Sequence, residues 1–80
     1  MQHTYWLIWS TEHKGWWKPA RRGYTQNLSE AGVYEYQEAV NIVHGANISL
    51  LHSNTAIPNE SMILLQGLLK EKYLSTKIKP

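Results

Sequence analysis

Asn59-Glu60-Ser61-Met62-Ile63-Leu64-Leu65-Gln66-Gly67-Leu68-Leu69-Lys70-Glu71-Lys72-Tyr73-Leu74 admits two readings, and the choice between them decides the fold. In the first, Asn59 caps a helix from Glu60 to Leu74 that sets Met62, Leu65, Leu69 and Tyr73 on one face. In the second, Met62 to Leu65 is a strand and only the remainder is helical. Gly67 costs a continuous helix about 1 kcal/mol relative to alanine. The continuous helix is the preferred reading. Its apolar arc, with Met62, Ile63, Leu64, Leu65, Leu68 and Leu69, is wide for a thin domain. Core packing accounts for it most simply, and a dimer seam is the alternative.

Working outward, Thr4 to Ser10 reads as a strand. Tyr5, Trp6, Leu7, Ile8 and Trp9 are mostly β-formers and leave no polar face, which predicts a central place in a sheet or a place under a helix. Thr11 to Gly23 reads as a loop punctuated by Gly15, Pro19 and Gly23. Tyr24 to Gln26 suits a short strand. Leu28 to Gly32 suits one helical turn, with Asn27 as cap and Gly32 as stop. Glu35 to His44 is the clearest helix, because Tyr36, Ala39, Val40 and Val43 recur at helical spacing and Gly45 offers a stop. Ile48 to Leu51 suits another strand, and Asn54 to Asn59 a loop. The expected fold is α+β: a small antiparallel sheet with one or two helices packed on it. Residues 1–74 form one domain in this reading, and Ser75 to Pro80 a frayed tail.

The chain has 80 residues, room for one domain with a thin core. It contains no cysteine, which excludes disulfides and cysteine-ligated zinc. That usage fits a reducing compartment, so a cytoplasmic location is expected. Association with further copies is the expected supplement to a small core. No apolar run is long enough to cross a membrane, and no secretory signal is apparent. The four histidines show no metal-ligand spacing, so no metal or other cofactor is expected. Neither a Walker A loop nor a dinucleotide fingerprint occurs.

Charge and aromatic content point to one stretch. The net charge is only +2, yet Lys14, Lys18, Arg21 and Arg22 fall close together. Lys70, Lys72, Lys77 and Lys79 form a second basic group, read as a solubilising end. Four tryptophans and five tyrosines accompany no phenylalanine, a choice that favours rings with a polar handle. Trp9, Trp16, Trp17 and Tyr24 interleave with the first basic group. Flat rings stack on bases at about 1–3 kcal/mol each while Arg and Lys hold phosphate oxygens. The expected binding residues are His13, Trp16, Trp17, Lys18, Arg21, Arg22, Tyr24 and Thr25. The expected ligand is a nucleotide or other anionic small molecule. The competing reading has Trp16 and Trp17 clamping a loop onto the core. Glu12-His13 is the loop's adjacent acid and imidazole pair. Neighbours on an extended chain point to opposite faces, so a shared catalytic role is disfavoured. Any nucleophile would be Ser10, Thr11 or Thr25, and no catalytic signature surrounds them.

The residues Leu7 to Ser10, Glu12-His13, Trp16-Trp17, Pro19, Arg21 or Arg22 with Gly23-Tyr24-Thr25, Glu30-Ala31-Gly32 with Tyr34, and Glu38-Ala39 carry a resemblance. So do Asn59-Glu60 and Met62-Ile63. This pattern resembles a family of small phage- and prophage-encoded proteins and covers about half the chain. Glu35 departs from it, standing where that family carries a Ser or Thr helix cap. The resemblance implies a mobile-element origin. By analogy with small phage proteins it implies a non-enzymatic anti-defence factor in the host cytoplasm, which sequesters a cyclic or linear nucleotide signal. The alternatives are an inhibitor that binds a host defence protein, of anti-CRISPR type, and a small hydrolase or nucleic-acid modifying enzyme using Glu12 and His13.

Overall fold

Strand β1, Tyr5–Ser10, is the element on which all others are arranged. The computed structural model describes residues 4–47 and 59–77. His3, His52, the strand expected at 48–51 and the loop expected from Asn54 lie outside the described residues, except for Asn59 itself. The order along the chain is β1, β2 (Gly15–Trp17), β3 (Tyr24–Thr25), β4 (Tyr34–Glu35), α1 (Tyr36–Asn47), β5 (Glu60–Leu64) and α2 (Gly67–Lys77). Two single 3-10 turns, Pro19–Arg21 and Leu28–Glu30, intervene.

Among the described residues, all strand pairs are antiparallel. One edge of β1 is taken along its length by β5, from Trp6 opposite Leu64 to Ser10 opposite Glu60. The other edge is shared: β4 holds the Tyr5–Trp6 end and β2 the Trp9–Ser10 end. Strand β3 extends the sheet beyond β2. The expected α+β class, a small antiparallel sheet with one or two helices packed on it, is what the chain forms, with two helices among the described residues.

The sheet is covered on both faces. Ile8, with Tyr34, Ala39 and Ile42, forms a core under α1, flanked by Trp6, Trp17, Val43 and Met62. Leu7, with Ala31 and Tyr73, forms a second core under α2, flanked by Trp16, Leu28, Ile63, Leu65 and Leu69. Successive side chains of a strand alternate between faces, so Leu7 and Ile8 serve different cores, and both are fully buried. Burial on this scale stabilises by about 1.5–3 kcal/mol per side chain. The absence of a polar face in Tyr5 to Trp9 is thereby explained.

Several expectations need correction. The continuous helix from Glu60 to Leu74 is not formed; Glu60–Leu64 is a strand, and a helix runs from Gly67 to Lys77. The free edge of β1 outweighs helical periodicity, and Gly67 enters α2 with φ of +57°, a conformation that glycine adopts without steric cost. The loop Thr11 to Gly23 contains β2 and a 3-10 turn. Gly45 does not stop α1, which continues to Asn47. The tail expected from Ser75 is helical as far as Lys77, whose Nζ lies 4.5 Å from the Tyr73 ring centroid.

Asn27 does cap its turn: its side-chain oxygen accepts the Ser29 N–H at 3.0 Å. Gly32 is not the cap residue of that turn, which is Ala31. Gly32 instead packs against backbone. A Cβ there would lie 2.8 Å from the Lys18 carbonyl carbon and the Pro19 nitrogen, and its N–H donates to the Trp17 carbonyl at 2.7 Å.

Candidate ligand-binding site

The adjacent tryptophans part company. Trp16 stands opposite Trp9 in the ladder, on the α2 face, where the two rings meet edge to face at 5.0 Å. Trp17 stands opposite Tyr24 on the α1 face, where their rings also meet edge to face, at 5.6 Å. Both indoles are partly buried against a core. Trp16 and Trp17 therefore do not stand side by side, since consecutive strand residues point to opposite faces. The indole N–H of Trp17 is buried and lacks a hydrogen-bond partner among the described residues.

A ring cluster remains on the α1 face. His13, from the β1–β2 turn, stacks on Tyr24 with centroids 3.9 Å apart and planes 15° from parallel. Its backbone N–H donates to the Ser10 hydroxyl at 3.1 Å, which fixes where the ring leaves the turn. The Ser10 hydroxyl in turn donates to Glu60 at 3.2 Å. Ser10 is fully buried and Glu60 is 4% exposed, so this pair lies beneath the surface. Tyr24 is 39% exposed. Partial burial raises its phenol above the ordinary value, and the negative charges of Glu60 and then Glu12 raise it further. Thr25 is spoken for locally, since its hydroxyl accepts the Asn27 N–H at 3.0 Å.

The basic residues occupy the opposite end of the β2–β3 hairpin. The Lys18 N–H donates to the Gly23 carbonyl at 2.8 Å and closes the loop, and the Arg22 N–H donates to Pro19 at 3.3 Å. Between them Ala20 and Arg21 have φ of 59° and 57°. Positive φ at both central residues is the requirement of a type I′ turn, which usually selects Asn and Gly. For other residues the left-handed region costs roughly 1–2 kcal/mol each. Tyr34, buried on β4, offsets that cost. Its hydroxyl donates to the Lys18 carbonyl and accepts the Arg21 N–H at 3.2 Å.

Arg21 and Arg22 project from this turn into solvent, with Lys18 half-buried at its base. Arg21 approaches Glu38, in the first turn of α1, at 3.9 Å, with both side chains about half exposed. At that distance and exposure the pair contributes little and leaves the guanidinium available. Lys14, in contrast, sits in the β1–β2 turn at the far end of the hairpin, also with positive φ, and does not join this group.

Charge thus differs between the two ends of the ring cluster: exposed Glu12 with Lys14 in the β1–β2 turn, above buried Glu60 of β5, lies at one end, and Lys18, Arg21 and Arg22 in the β2–β3 turn lie at the other. Of the residues expected to bind, His13, Trp17 and Tyr24 come together, and Lys18, Arg21 and Arg22 come together beyond them. Sequence reasoning missed Tyr34, Ser10 and Glu60 as the groups that organise the site. The one signal was Tyr34 in the Glu30-Ala31-Gly32 motif, a buried aromatic with a hydroxyl to satisfy. Among the described residues no cluster of histidine and carboxylate groups suits a metal ion, and no helix is long and apolar enough to cross a membrane. No family model matches the chain, and no curated protein or solved structure is significantly similar to it.

Proposed function

We propose that this domain is a non-enzymatic binding protein that captures a nucleotide along the β2–β3 hairpin, and that it serves a phage or prophage by sequestering a nucleotide signal of host defence. The observation that carries the ligand class is the pinned turn. Tyr34 holds Ala20 and Arg21 in a costly backbone conformation, and Arg21 and Arg22 are exposed on the turn that follows the Trp17–Tyr24 pair of the ladder. Strain kept by a dedicated clasp is characteristic of functional sites. The polarity of the hairpin suits one orientation. A base stacks on the exposed His13–Tyr24 pair, its amino or ring N–H groups turn toward the carboxylate of Glu12, and its phosphates meet Arg21, Arg22 and Lys18. The anti-defence role rests on the motif resemblance.

A panel of cyclic and linear mono- and dinucleotides tests this reading. A binder raises the melting temperature in proportion to the logarithm of ligand concentration and is returned chemically intact after denaturation. Arg21→Ala with Arg22→Ala abolishes the shift, and Trp16→Phe, on the other face, preserves it. Release of an altered nucleotide would establish an enzyme instead. A panel without any shift removes the nucleotide reading.

A further inference from the structure

Helix α2 leaves an outward stripe uncovered. Leu68 is 75% exposed, an unusual position for a leucine in the first turn of a helix that otherwise packs through Leu69 and Tyr73. Beside it runs a groove of about 480 Å³ lined by Leu28, Leu68, Glu71, Lys72, Ser75 and Thr76. Within α2 these positions recur at intervals of three, four and seven residues, so they form one seam along the helix.

The seam is complementary to itself. When two copies of α2 are laid antiparallel about a two-fold axis between Glu71 and Lys72, Leu68 of each meets the small Ser75 of the other. The same operation sets each Glu71 against the other copy's Lys72. A large side chain meets a small one and each acid meets a base, which is the condition an isologous contact must satisfy. Among the described residues neither Glu71 nor Lys72 makes an ion pair within the chain, so both are available. We infer that the Leu68–Thr76 seam of α2, with Leu28 at its flank, is a two-fold interface between copies of this chain.

The contact is small. An 11-residue helix is about 16 Å long, and stable interfaces begin near roughly 1,200 Å² in total. A contact of this size fits a weak dimer, with a dissociation constant on the order of micromolar to millimolar.

Sedimentation velocity of the full chain across that range, with circular dichroism to confirm folding, tests the inference. A concentration-dependent monomer–dimer equilibrium is expected. Leu68→Asp weakens it by roughly tenfold or more, the scale of a buried uncompensated charge. Glu71→Lys and Lys72→Glu each weaken it, because each places like charges together twice across the axis. The double exchange Glu71→Lys with Lys72→Glu restores it. A chain that is monomeric throughout overturns the proposal and leaves the stripe to a different protein. So does a dimer indifferent to Leu68→Asp, or a double exchange no better than the single ones.

Discussion

The hydroxyl of Tyr34 accepts the backbone N–H of Arg21 at 3.2 Å, thirteen residues away in sequence. The same hydroxyl donates to the carbonyl of Lys18, so one phenol spans the basic turn from its base to its centre. Its ring belongs to the core under α1. The turn's conformation is therefore fixed by the core rather than by the turn's own residues. Tyr34→Phe keeps the ring and removes both bonds. It should destabilise the domain by about 1–3 kcal/mol, the cost of leaving two polar groups unsatisfied. Chemical denaturation measures the loss, and faster hydrogen exchange at the Arg21 amide locates it.

The same clasp predicts an alkaline limit. Burial raises the Tyr34 phenol above its ordinary value of 10.0; the nearby Glu38 charge adds to this, and the Arg21 N–H partly opposes it. A group whose folded pKa is raised holds its proton longer folded than unfolded. Its stabilisation is complete below the unfolded value and declines as pH rises from there through the folded one. Stability should therefore fall above about pH 10. In Tyr34→Phe that portion of the fall should vanish, leaving a shallower slope from the similarly raised Tyr24.

Ala20 sits at φ 59° for want of a glycine. Ala20→Gly removes a steric cost of roughly 1–2 kcal/mol, against a smaller entropic loss from the unfolded chain. A net gain of about 0.5–1 kcal/mol is expected, which corresponds to roughly 2–8 °C in melting temperature for a domain of this size. A decrease would show that the turn is not held in this conformation in solution.

Gly32 is predicted to be intolerant. A methyl group there meets backbone of Lys18 and Pro19 at 2.8 Å, and neither can move without opening the turn. Gly32→Ala should cost about 1–3 kcal/mol by overpacking. If the proposed site is correct, nucleotide affinity falls with it, since the basic turn must shift. Gly45→Ala is the contrasting control, because nothing lies within contact distance of a Cβ there and the site is helical.

The sequence was most readable where local chemistry and tertiary demand agree. Thr4 to Ser10 reads as a strand without a polar face, and Asn27 as a cap, because neither needs information from elsewhere in the chain. Met62 to Leu65 was ambiguous, since four consecutive apolar residues carry no period. Only the open edge of β1 decides for a strand, and that edge is a property of the assembled sheet. The site follows the same division. The residue types that the proposed nucleotide site would use are visible in Lys18, Arg21, Arg22 and Tyr24. The sidedness of Trp16 and Trp17 is not, because it depends on Gly15–Trp17 being a strand. The role of Tyr34 depends on a contact across sixteen residues to Lys18, which no local pattern encodes.

Two tryptophans that are neighbours in sequence look into different interiors. Each indole is consequently an optical probe of one layer: Trp16 for the side closed by α2, Trp17 for the side closed by α1 and crossed by the proposed site. A chain in which Trp6, Trp9 and one of this pair are replaced would report on one half at a time, showing whether a ligand at the hairpin is felt on the far side of the sheet.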